Sequence, residues 1–137
     1  MAHDTTPSSP APTRTVVLAL ALDLASILAF VTIGRRSHQE TDAIRDILRT
    51  AAPFLMAVVP AWVVSRVWVN PTSLRTGGTI LVVTIVAGMY TRRVLFDEGI
   101  ASTFIVVATL FLTACLLGWR LIARFVAHRR PHVAPVG

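Results

Sequence analysis

Four long apolar stretches, 15–33, 50–69, 79–96 and 100–119, alternate with short polar connectors along the chain. Each holds about 20 residues, and at roughly 1.5 Å rise per residue a helix of that length spans about 30 Å, the thickness of a bilayer's hydrocarbon core. Soluble domains disperse their apolar residues, whereas here they are blocked into runs. The pattern predicts an all-α integral membrane protein, an antiparallel bundle of four transmembrane helices. Between spans one and two, Ser37 and Glu40 have capping-box spacing. Ile44, Ile47 and Leu48 behind them share one helical face, while Asp42, Arg45, Asp46 and Arg49 are spaced for charge pairs on another. This predicts a short interfacial helix lying on the membrane between the first two spans.

Helix punctuation refines the spans. Pro53 falls in the first turn of span two, where proline is tolerated, and Pro60 falls mid-span, where it should kink or break the helix. Asn70-Pro71 ends that span and Gly77-Gly78 precedes the third. Within span one, Ala21, Ala25 and Ala29 recur every four residues as a smooth stripe suited to close helix contact, and Asp23, Ser26 and Phe30 occupy a different face. The residues before position 15 are rich in Pro, Ser and Thr and read as a disordered tail, 1–14. The run after it exceeds the usual core of a signal peptide and contains Asp23, so it reads as a retained anchor. The transmembrane domain then covers 15–124, and 125–137 is a basic tail.

With 137 residues, of which the four spans use most, no room remains for a separate soluble core. The net charge is +6 and all thirteen basic residues are arginine. They gather at the ends of apolar runs without a groove-reading motif, so the excess points to phospholipid headgroups and not to nucleic acid. Four spans place both termini on one side. That side carries seven arginines and the other six, nearly a balance; the bases after span four favour cytoplasmic termini for this multi-pass protein of the cell membrane, and the charges flanking span one argue the other way. Spans one and three each end in Arg-Arg, and spans two and four each end in Trp then Arg, at offsets of 57 to 58 residues. Such spacing suits an internal repeat, and equally the interfacial anchors of any two hairpins.

Asp23 is the one acid inside any span. A carboxylate at that depth is expensive unless it is paired or used. Counting residues along each span puts Asp23 and Arg66 within roughly 7 Å in depth, a gap the long arginine side chain can bridge, so an Asp23–Arg66 intramembrane charge pair is expected. Arg35, Arg36, Arg92 and Arg93 lie together on the opposite side with His38, as snorkelling anchors or as one phosphate or lipid-headgroup site. Cys115, the single cysteine, cannot form an intrachain disulfide or a metal site. His128 and His132 have zinc-ligand spacing, but Pro131 between them breaks the helix, and they read as no metal site. The sequence carries no catalytic triad order, phosphate-binding glycine loop, HExxH or CxxC, so nothing in it argues for a cofactor or for an enzyme.

Asp23 in span one, GRRSH (34–38), TAAPF (50–54), the stretch from Gly88 to Arg93, and GWR (118–120) together resemble the small prokaryotic membrane proteins catalogued as domain of unknown function 3054. The resemblance covers roughly 16–124 and implies a multi-spanning membrane fold; it assigns no activity and no functional residues. The leading expectation is a structural or accessory component of a membrane complex, as a homo-oligomer or with a larger partner. The alternatives are a small proton-coupled transporter using Asp23, with Thr84, Thr91, Thr109 and Thr113 along its path, and a lipid-headgroup-binding protein.

Overall fold

The computed structural model describes residues 9–35, 43–97, 99 and 101–129. Four helices account for nearly all of them: α1 (Thr13–Arg35), α2 (Ala43–Ser65), α3 (Leu74–Val94) and α4 (Ser102–His128). Each is long and apolar enough to cross a membrane, and the 23 residues of α1 extend about 34 Å. The chain is a small multi-spanning membrane protein. Its outer faces carry Val17, Leu28, Val63, Val86, Leu110 and Ile122, all exposed, as helices solvated by lipid require.

The helices form a closed ring. Each packs against its neighbour in sequence and α1 closes against α4, leaving α1 diagonal to α3 and α2 diagonal to α4. The α2–α3 contact is the most extensive. Gly88 explains part of it: a Cβ there would stand 2.7 Å from Cδ1 of Phe54, so the missing side chain is what lets the phenyl ring lie on the α3 backbone. The α1 face bearing Asp23, Ser26, Ile27 and Phe30 is distinct from the alanine stripe, as the sequence spacing predicts; it is the buried face, while Ala21 and Ala25 point outward and Ala29 is half-buried. Phe30, two turns beyond Asp23, centres an aromatic cluster with Phe54, Phe104 and Phe111, at ring separations of 5.7–5.9 Å. The interior is thus aromatic toward one end of the bundle and polar, around Asp23, toward the other.

Helix boundaries differ from the apolar runs, most clearly in four places. α3 begins at Leu74, five residues before the expected start, so Gly77-Gly78 lies within the helix and does not precede it. Residues 43–49 are the opening turns of α2, which continues unbroken to Ser65, and do not form a surface helix of their own. No glycine or proline separates them from span two, and extending an existing helix is easier than nucleating another. The Ser37–Glu40 capping box lies outside the described residues. Pro53 therefore sits well inside α2, not in its first turn, and α2 also passes through Pro60 without a break. In lipid a break would strand backbone groups away from water, and this favours continuity. Finally, α2 stops at Ser65, four residues before the apolar run ends, whereas α4 runs to His128, nine residues past Trp119 and into the expected basic tail.

The end of α2 has a specific cause. The Arg66 N–H donates to Val63 O (3.1 Å) and the Val67 N–H to Trp62 O (3.2 Å), the two reverse bonds of a Schellman turn. Arg66 occupies the left-handed position of that turn, with φ 51°. Val67, the next residue, is buried in the same cluster against which Trp62 packs, and this apolar contact fixes the turn. The chain then passes through Asn70-Pro71 to Ser73, whose hydroxyl caps α3 by accepting from the Arg75 N–H. Ahead of α1, the Ala11 N–H donates to Trp68 O (2.9 Å), placing the start of α1 beside the end of α2.

Candidate functional site around Asp23

Asp23 is fully buried and its partner is Arg120. Nη1 of Arg120 donates to Oδ1 at 2.7 Å and Nη2 to Oδ2 at 3.0 Å, a two-pronged contact that matches the planar guanidinium to the planar carboxylate. Two indoles complete the shell: Trp119 Nε1 donates to Oδ1 (3.1 Å) and Trp62 Nε1 to Oδ2 (3.2 Å). Each carboxylate oxygen therefore accepts two hydrogen bonds, the full capacity of an ionised carboxylate. On the other side of the pair, Arg120 Nε donates to Pro71 O (3.0 Å) and Nη1 also to Leu116 O (2.8 Å). The guanidinium carbon lies 4.2 Å from the centre of the Trp119 ring, adding a cation–π contact.

All four helices build this centre. Asp23 comes from α1, Trp62 from α2, and Trp119 and Arg120 from α4. Gly77 of α3 supplies space: a Cβ there would stand 2.6 Å from Arg120 Cδ and 3.1 Å from its Nε. Asn70-Pro71, expected only to end a helix, also provides an acceptor for the buried cation. Burying two charges carries a desolvation penalty, offset here by close geometry and by the number of further hydrogen bonds each ion makes.

The expected pair of Asp23 with Arg66 is therefore corrected to Asp23 with Arg120. Arg66 is the first residue beyond α2 and its side chain is exposed, whereas Arg120 lies two turns inside the end of a longer α4. One sequence signal did point here. Trp62 and Trp119, 57 residues apart and taken as interfacial anchors, converge on one carboxylate. The position 57 residues after Asp23 is the buried Ile80, so the second hairpin repeats the donor but not the acid.

At the opposite end, Arg92 lies over the Phe104 ring at 4.5 Å and its Nε reaches toward Gly99 O at 3.4 Å. Arg93 pairs with Asp97 at 3.2 Å in an exposed contact of small energetic weight. Both arginines are thus engaged within the α3–α4 hairpin. The Arg35 side chain, Arg36 and His38 lie outside the described residues. Of the threonines considered for a polar path, Thr109 and Thr113 donate to carbonyls of their own helix, Ile105 O (2.7 Å) and Thr109 O (2.6 Å).

Residues 20–123 match the family described as Protein of unknown function (DUF3054). The chain belongs to this family. The matched segment opens three residues before Asp23 and closes three after Arg120, so the DUF3054 region is bounded by the two ions that join its first and last helices. No curated protein and no solved structure matches the chain.

Proposed function

We propose that this DUF3054 protein is a structural or accessory component of a membrane complex, in which a rigid four-helix unit presents its lipid-facing surface to another helix. The saturation of Asp23 carries the reading. A transport carboxylate has to exchange partners with its cargo, and Asp23 is enclosed by four donors held on the two helices that flank α1. The outward placement of Ala21 and Ala25 supports the interaction role, since small residues let a second helix approach closely. Phospholipids surround this surface, and a second copy of the chain or a larger protein would displace them.

Two measurements test the proposal together. Native mass spectrometry of the chain released from membranes in mild detergent is expected to give a species heavier than the monomer with lipid. Replacing Ala21 and Ala25 with Leu should convert it to monomer. In parallel, proteoliposomes carrying a pH-sensitive dye should show no proton flux that depends on Asp23. A flux present in the wild type and absent in a folded Asp23→Asn variant would instead establish the transport reading.

A further inference from the structure

The end of the bundle at which α2 ends and α3 begins contains a cavity of about 510 Å³ lined by Arg66, Asn70, Ser73, Arg75 and Thr76 among others. We propose that this cavity binds a phosphate group, carried by a lipid headgroup or as free phosphate. It lies at the other end of the bundle from the arginine cluster that the sequence singles out.

Four observations point the same way. First, both guanidinium groups are uncommitted: no acid among the described residues lies within ion-pair distance of Arg66 or Arg75. Second, Thr76 is only 8% exposed, yet it lines the cavity and its hydroxyl has no hydrogen-bond partner among the described residues. That leaves the hydroxyl free to bond a ligand in the cavity. The neighbouring Ser65 and Thr79 hydroxyls differ, because they already donate to Trp62 O and Arg75 O. Third, α3 begins here, and its free N–H groups and positive dipole end favour an anion.

The fourth observation is the backbone of Arg66. The left-handed position of a Schellman turn is normally glycine, because a side chain there is strained by about 1–2 kcal/mol. The chain nonetheless places an arginine at φ 51°, on the rim of the cavity. The fold does not need that side chain, since the reverse hydrogen bonds and the burial of Val67 make the turn. A role outside the fold, in holding a ligand, accounts for it. Arginine is suited to this because its fork grips two phosphate oxygens at once.

The test uses the full chain purified in a neutral detergent, with two probes: inorganic phosphate by titration calorimetry, and phosphatidylglycerol retention by native mass spectrometry. Arg66→Gly relaxes the turn while removing the charge, so its melting temperature should equal or exceed that of the wild type. Affinity for the bound probe should nevertheless fall at least about tenfold, as loss of one charge-assisted contact implies. Arg75→Gln and Thr76→Val should also weaken binding, and Arg129→Gln, at the end of α4, should leave it unchanged. Binding of phosphate alone identifies a soluble ligand, and retention of the lipid alone identifies a headgroup. The proposal is overturned if the wild type binds neither probe, if Arg66→Gly and Arg75→Gln bind as the wild type does, if Arg129→Gln weakens binding equally, or if Arg66→Gly lowers the melting temperature.

Discussion

Replacing Asp23 with Asn separates charge from shape at the centre of the bundle. The amide has the size of the carboxylate and keeps one acceptor oxygen. With that oxygen at the Oδ1 position, the contacts to Arg120 Nη1 and Trp119 Nε1 survive. The amide nitrogen then faces Arg120 Nη2 and Trp62 Nε1, at positions where the native oxygen sits 3.0 and 3.2 Å away, and donor meets donor. Turning the amide over only moves the conflict to the other pair. More costly still, Arg120 is fully buried and would lose its counter-ion. Removing one member of a buried pair typically costs about 3–5 kcal/mol, a large share of the roughly 5–15 kcal/mol that holds a domain together. The measurement is denaturation of the purified chain by titrated SDS in mixed micelles, followed by circular dichroism. The double variant Asp23→Leu/Arg120→Met removes both charges and leaves the two indole N–H groups without an acceptor and Pro71 O without its donor. It should lose less stability than the sum of the single substitutions, by about 1–3 kcal/mol. A midpoint for Asp23→Asn equal to that of the wild type, or single effects that simply add, would refute the idea that this pair fastens the bundle.

Three further substitutions probe the surroundings of the pair and of the aromatic cluster. Gly77→Ala places a methyl group 2.6 Å from Arg120 Cδ and should cost about 1–3 kcal/mol in the same titration, because the guanidinium is tied at four N–H groups and cannot yield. Gly88→Ala should cost a similar amount by pushing Phe54 out of contact with Phe30, visible as lost near-ultraviolet dichroism. Trp119→Phe keeps most of the ring but removes a charge-assisted bond to Oδ1, and should destabilise by about 1.5–3 kcal/mol without changing helical content.

The number of spans, the membrane setting and the importance of Asp23 were legible because each depends on local composition. A run of about 20 apolar residues has few alternatives to a spanning helix, and one acid within it stands out. The partner of Asp23 was not legible for a different reason. Apolar runs locate spans but not helix ends, and here the ends decide which arginine is inside. Span two looks apolar through Val69, yet α2 stops at Ser65 because Val67 is buried by residues distant in sequence. Span four looks finished at Trp119, yet α4 carries on to His128, so Arg120 is an interior residue. Similarly, the apolar face of Ile44, Ile47 and Leu48 fits a surface helix equally well as the start of a long one.

The Asp23–Arg120 bond spans 97 residues of chain, and that distance has a consequence for how the protein is made. At about 5–20 residues per second, a ribosome needs on the order of 5–20 s to reach Arg120 after finishing Asp23. Through that interval α1 holds an acid whose counter-charge has not yet been synthesised. The helix must therefore linger near the interface, shelter in the translocation machinery or accept a temporary partner. Closure of the ring by α4 is the event that releases it. A chain truncated before α4 would be left with a carboxylate in α1 that has no counter-ion, a mark by which membrane quality control could distinguish an unfinished molecule from a complete one.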